Sequence, residues 1–418
     1  MSDLEPSRSN EHPQHETQHP SSSSYSYSGS GRIFPLAYDT AAPPRQDARV
    51  LLFSQRNVER PVWHGGMYEF EDVIMSIENA RMLAPHRRPG SRAVRVARKL
   101  PSIVRQTLGF ARLPESERIR VDGTFDLFFA VLHFAWQAAY LRHLNWRRQS
   151  RKAICFIIEQ WAPAVDDAEP YLEMLREFDH VFVFSRWSIP RMQSITGTRV
   201  DYLPIGADAL ASCPYPACVP RTIDAFSMGR RVPHIHNALL RLMEKERISY
   251  VFDSVRAGMD TWVNYREHRA LLRHLLKRSR YALAFRHNDS SHFVERTGGE
   301  EAIPSRYFES IAGGPVILGS APDCSDYRDN FDWPDAVIPL PAEASDIEAT
   351  LWDLDVQPER LARARANNVV NALRRHDWAY RWQTILSRAG LSESSLLRER
   401  IANLHSLGES AVSVLTQV

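Results

Sequence analysis

The chain has 418 residues, enough for two domains of ordinary size, and 44% of them are hydrophobic and 24% charged. That balance belongs to a globular protein with real cores, and a net charge of +2 gives no global sign of a nucleic-acid partner. Four scattered cysteines (Cys155, Cys213, Cys218, Cys324) make neither a disulfide framework nor a zinc site, which fits reduced thiols in the cytoplasm, and no apolar run reaches the length of a membrane span.

Residues 1–32 are rich in Ser, His, Gln, Pro and Glu, with too little apolar content for a core or a signal sequence, so a disordered tail is expected. From Arg49 onward strands and helices alternate. Arg49–Ser54 reads as a buried strand, followed by a loop with Gly65-Gly66 and a helix over 67–83. Phe125–Leu132 is an apolar run broken only by Asp126, and 134–147 looks helical. Strands follow at 153–158, 180–184 and 199–204, with helices at 171–178 and 190–196 between them. Residues 207–221, with three prolines and two cysteines, are the best linker. A second alternation then begins: strands at 223–228, 248–252, 281–285, 315–318 and 335–340, and helices at 235–245, 262–277, 304–312 and through most of 345–389. Strands that alternate with helices predict parallel sheets covered on both faces, with ligands at the carboxyl ends of the strands. The expected class is therefore α/β, two Rossmann-like domains with a cleft between them.

The densest chemistry lies in Glu301-Ala-Ile-Pro-Ser-Arg-Tyr-Phe-Glu309, followed by a Gly-Gly-Pro-Val-Ile tail. Pro304 suits the first turn of a helix, and Gly313-Gly314 ends it. A carboxylate before a helix, unpaired N–H groups at its start and a second carboxylate inside it make a cradle for a diphosphate and a diol. Gly229-Arg230-Arg231 closes the first strand of the second alternation, where two guanidiniums can clamp a diphosphate; a solvated basic turn is the plainer alternative. Gly65-Gly66 lets backbone approach a ligand. His133 ends an apolar run and could equally be a core histidine. Glu159, with Trp161 two residues on, suits sugar hydroxyls and an apolar sugar face, or else a surface pair with an arginine.

These residues resemble the donor-site pattern of group 1 glycosyltransferases, retaining enzymes of GT-B architecture, over most of residues 50–390; the wording suggests a divergent bacterial subgroup. His376-Asp-Trp378 followed by Arg381 resembles the closing helix of that group, where Trp378 and Trp382 would pack. The resemblance implies a disordered tail (1–32), an acceptor domain (33–206), a linker (207–221), a donor domain (222–375) and C-terminal helices packing across both (376–418). It implies a metal-independent, cofactor-free transfer of a sugar from a nucleotide-diphosphate sugar to a glycan, lipid-linked or small-molecule acceptor, with retention. Glu301 and His133 would be catalytic; Arg230, Arg231, Ser305, Arg306, Tyr307, Glu309, Gly65 and Gly66 would bind the donor; Glu159 and Trp161 would face the acceptor. One departure is a missing Lys after Arg230-Arg231, where His234 and His236 stand instead. A sugar-nucleotide 2-epimerase on the same fold, or a non-catalytic sugar-nucleotide or lipid-binding partner, are the alternatives. Residues 79–114 contain no Asp or Glu but many arginines with interleaved apolar residues. They are either a peripheral contact with an anionic inner-membrane face or a plain basic surface.

Overall fold

The computed structural model describes residues 47–86, 117–142, 144–217, 219–253, 264–340 and 346–415. The tail over 1–32, residues 87–114 of the basic stretch, and Cys218 lie outside the described residues.

The first sheet has strands β1 (Val50–Phe53), β2 (Ala80–Leu83), β3 (Phe125–Leu132), β4 (Ser150–Ile157), β5 (His180–Val183) and β6 (Val200–Tyr202) in the order β2-β1-β3-β4-β5-β6, all parallel. Successive side chains of a strand point to opposite faces, so a sheet covered on both sides needs strands apolar throughout. Val50 and Leu52 join one core with Leu127 and Phe129, while Leu51 and Phe53 join the other with Phe128 and Ala130. The second sheet has β7 (Ile223–Ser227), β8 (Tyr250–Phe252), β9 (Ser279–Ala284), β10 (Val316–Gly319) and β11 (Ile338–Pro339) in the order β11-β10-β9-β7-β8, again parallel. Two doubly wound parallel sheets, the two-Rossmann α/β class, are thus the architecture of the described residues.

Among the described residues the helices of eight residues or more are α1 (Gly65–Ile77), α2 (Ile189–Thr196), α3 (Pro233–Glu244), α4 (Tyr265–Arg278), α5 (Ser305–Gly313), α6 (Ile347–Asp355), α7 (Pro358–Asn371), α8 (Trp378–Ala389) and α9 (Ser395–Leu415). The last two return to the first sheet. Trp378 of α8 stacks on Phe70 of α1, with ring centroids 4.6 Å apart. The indole N–H of Trp382 donates to Glu78, at the end of α1. Asp377 caps α8 through the amide of Ala379 and is held with Asp208 by Arg400 of α9, at 2.8 and 2.7 Å.

The two sheets belong to one compact unit. Two ion networks, one buried and one part-buried, tie α1 to α4. In one, Arg269 and Arg273 of α4 meet Glu69 of α1 at 2.9 and 2.8 Å, and Glu69 also accepts from the amide of Asp208 and the indole of Trp378. In the other, Tyr265 and Arg266 of α4 meet Asp72, which also pairs with Arg56.

Three expectations need correction. The helix expected over 67–83 stops at Ile77, and its last residues form the edge strand β2. The helix expected over 134–147 is two short 3-10 segments, Ala135–Leu141 and Trp146–Gln149. The side-chain oxygen of Gln137 takes the amides of His133 and Phe134, which fixes a tight start. Between the strand expected at 281–285 and the helix expected at 304–312, where no element is expected, stand a 3-10 turn, His287–Asp289, and a helix, Ser291–Thr297.

Candidate active site

In each sheet the strand order reverses beside its first strand: between β1 and β3, and between β7 and β9. Loops leaving such neighbours splay to opposite faces and open a crevice at the carboxyl ends. The segment after β1 brings His64 and Gly65-Gly66; His133 follows β3. The segment after β7 brings Arg230; β9 is followed by His287. These are the positions where the chemistry gathers.

Arg230 and Arg306 converge on the second crevice. Arg306, at the start of α5, donates to the carbonyl of Arg230 at 2.8 Å. Neither guanidinium has a carboxylate within ion-pair distance among the described residues. Burial and the neighbouring Arg306 push Arg230 down to about 9, and burial lowers Arg306 as well. Nη1 of Arg230 is buried without a hydrogen-bond partner, while the guanidinium lies 3.9 Å from the centroid of the Phe293 ring. Two like charges held together without a counter-ion are an arrangement that an anion would stabilise. His287 lies within their field: burial and then Arg230 push it down to about 3, so it is neutral.

Glu301 precedes α5. One oxygen accepts from the amide of Asp323, and Oε1 is buried with no hydrogen-bond partner, its nearest cation being Arg286 at 3.7 Å. Burial raises this carboxyl above its ordinary value. Oε1 of Glu309, one turn into α5, accepts from Arg269 at 2.5 Å. The same Arg269 holds Glu69, so Glu309 stands at the edge of the network that joins α1 to α4. Gly65 lets α1 approach that network closely: a Cβ on it would lie 3.1 Å from Cδ of Arg269, and one on Gly66 would face Glu309 at 4.0 Å.

The first crevice holds His133, whose Nε2 lies 3.2 Å from Oε2 of Glu159. Oε1 of Glu159 accepts from the indole of Trp161 at 3.0 Å and pairs with Arg296 at 2.9 Å. Burial would raise Glu159, but His133, Arg296 and Trp161 outweigh it and hold the carboxylate down at about 2. Trp161 packs edge-on against His287, with centroids 5.0 Å apart, so groups from both sheets meet. Beside His133, the His64 ring lies at 4.8 Å and is pushed down to about 2 by burial.

Neither protein-family models nor curated protein sequences give a match to this chain. Solved structures are similar to it at low identity. A UDP-forming α,α-trehalose-phosphate synthase from Burkholderia xenovorans is 10% identical with a TM-score of 0.48, covering 82% of this chain and 98% of that one. An α-glucosyltransferase in complex with UDP and DNA is 10% identical with a TM-score of 0.47, covering 82% and 99%. HepE of Anabaena, in complex with UDP and glucose, is 11% identical with a TM-score of 0.46, also covering 82% and 99%.

The sequence-predicted residues do not all face the crevices. Arg231 turns to Asp253, bonding its carboxylate at 2.7 Å and also its carbonyl. Tyr307 is fully buried, and its hydroxyl donates to the carbonyl of Ser320 at 2.7 Å, which makes it a brace for α5. Ser305 is exposed at the start of α5. Asp353-Leu-Asp355 sits at the end of α6, where Asp355 accepts from Arg280 and Tyr281. Sequence reasoning missed His64, His287, Arg296, Arg269 and Glu69. His64 precedes Gly65-Gly66 and His287 follows β9, so the rule of strand ends could have found both.

Proposed function

We propose that the chain is a glycosyltransferase of the group 1 GT-B type, moving a sugar from a nucleotide-diphosphate sugar to an acceptor hydroxyl with retention. The observation that carries this reading is the gathering of unsatisfied buried polar atoms at the two crevices: Nη1 of Arg230, Oε1 of Glu301, Nδ1 of His133 and Nδ1 of His287. Each such atom costs about 1–3 kcal/mol while unpaired, and clustered exceptions of this kind call for a ligand. A molecule with a diphosphate at one end and hydroxyls at the other satisfies both kinds of atom.

In this reading 222–375 is the donor half and 33–206 the acceptor half. Arg230 and Arg306 stabilise the charge that develops on the departing diphosphate. Glu301 accepts from a hydroxyl of the transferred sugar, and Glu309 from the nucleotide ribose. The bond from the anomeric carbon to the phosphate oxygen breaks and a bond to the acceptor oxygen forms on the same face. The acceptor proton passes to the departing phosphate. The acceptor is a glycan, a lipid-linked sugar or a small molecule, in the cytoplasm, with 79–114 as the candidate for peripheral membrane contact. A sugar-nucleotide epimerase is the second reading: the carboxylate–imidazole pair of Glu159 with His133 and the buried carboxyl of Glu301 are the groups that could act as acid and base without an acceptor.

The test is a melting screen over nucleoside diphosphates, monophosphates and nucleotide sugars, followed by NMR of the product anomer. Diphosphates should raise the melting point more than monophosphates, because a ligand of the native state stabilises it. Conversion of the sugar nucleotide without any acceptor would select the epimerase. No response to any diphosphate would end both readings.

A further inference from the structure

Glu159 reads in the sequence as a ligand for an acceptor, yet both of its oxygens are occupied within the protein. Oε1 takes the indole of Trp161 and the guanidinium of Arg296, and Oε2 faces Nε2 of His133. An ionised carboxylate only accepts hydrogen bonds, so the imidazole nitrogen facing it carries the hydrogen. In the neutral ring, Nδ1 is then left as a lone pair. That atom is buried without a partner, in a residue only 6% exposed. The ring is also held from behind. The amide of His133 donates to Oε1 of Gln137 at 2.6 Å, the amide of Phe134 donates to the same oxygen, and the amide nitrogen of Gln137 therefore turns to Nε2 of His64 at 3.0 Å.

We propose that Glu159, Trp161 and Arg296 are positioning residues that fix His133 in its Nε2–H form, so that Nδ1 accepts a hydrogen bond from a hydroxyl of the sugar substrate. The substrate half of this statement rests on the glycosyltransferase reading; the tautomer does not. Arg296 comes from the helix Ser291–Thr297 that follows β9, whereas Glu159 follows β4 of the other sheet. The pair is therefore complete only when the two halves are in contact. His133 is ready for substrate in that arrangement and loses one of its restraints when the halves part.

Glu159→Gln tests the assignment with almost no change of shape. The amide oxygen has two donors to satisfy, Trp161 and Arg296, so the amide nitrogen turns to His133 and forces the hydrogen onto Nδ1. The acceptor becomes a donor while the ring stays in place. Imidazole 15N NMR at neutral pH should show Nε2–H in the wild-type protein and Nδ1–H in E159Q. In E159Q combined with W161F and R296M the amide oxygen loses both competing donors, and the Nε2–H form should return. Turnover of a nucleotide sugar should fall about 10–100-fold in E159Q, the loss of one buried hydrogen bond, and recover in part in the triple variant. An Nδ1–H or doubly protonated His133 in the wild-type protein overturns the proposal, and that measurement needs no variant to fold. An Nε2–H ring that E159Q leaves unchanged overturns the role of Glu159. A tautomer that behaves as described in a protein that turns over no nucleotide sugar refutes the glycosyltransferase reading and leaves the positioning intact.

Discussion

Replacing Arg230 or Arg306 with Met should move stability and ligand binding in opposite directions. Arg230 sits at about 9 against an ordinary 12.5. At 1.36 kcal/mol per pKa unit, roughly 5 kcal/mol is the ceiling on the cost of holding that charge in the folded protein. Methionine keeps the length and apolar contact of the stem and removes the charge, and buried charges exchanged for well-packed apolar groups are often neutral or stabilising by about 1–4 kcal/mol. R230M and R306M should therefore unfold at equal or higher denaturant concentration than the parent. Each should lose one charge-assisted contact to a diphosphate, about 1.5–3 kcal/mol, or roughly 10–150-fold in Kd. Chemical denaturation and titration calorimetry with a nucleoside diphosphate measure the two quantities on the same samples. A monophosphate should distinguish parent from variant less well than a diphosphate. Variants that are less stable than the parent and bind diphosphate as tightly would refute the reasoning, because the arginines would then be structural.

Other outcomes follow from the same geometry. Glu69→Gln leaves Arg269 and Arg273 without their full counter-charge in the interior, so urea unfolding should show a loss of about 3–5 kcal/mol. His287 is held neutral in the folded protein down to about pH 3, while in the unfolded chain it protonates near 6.5. Protonation therefore favours the unfolded chain between those values, and the stability of the parent relative to His287→Asn should fall by about 1.4 kcal/mol per pH unit as pH drops from 6.5 toward 3. A difference that is flat over that window would show His287 to be exposed. Gly319 has φ of +155°, and a Cβ there would lie 1.7 Å from the carbonyl oxygen of Ala284. Gly319→Ala should give little soluble protein, and a well-folded variant would mean that β9 and β10 are spaced differently.

The parts of the fold legible in the sequence are those set by local pattern. β3 and the apolar half of β4 are unbroken enough to read at once, since a strand buried on both faces has no polar alternation to hide it. β2 is four residues, Ala-Arg-Met-Leu, all good helix formers, and only pairing with β1 makes it a strand. In the site, Glu301 and Arg230 were legible because they sit at element ends, where topology puts ligands. Which of two adjacent arginines faces the crevice was not, because that depends on Asp253 capturing Arg231 from another strand end. Glu69 and Arg269 are 200 positions apart. Neither spacing nor composition announces such a pair, although it fixes how the halves meet.

The return of α8 and α9 to the first sheet sets the order in which this chain can mature. One face of β1, β3 and β4 is covered in part by Trp378, Trp382, Ile385, Leu386, Leu397 and Leu404. During synthesis, the first-made half waits with part of an apolar face bare until residues 378–404 have left the ribosome. A cut in 207–221 cannot yield two self-sufficient pieces, because the covering helices travel with the wrong one. A nonsense codon near 390 would unseat the front of the protein as surely as the back. Complementation should therefore work only for a front fragment supplied with residues 376–415.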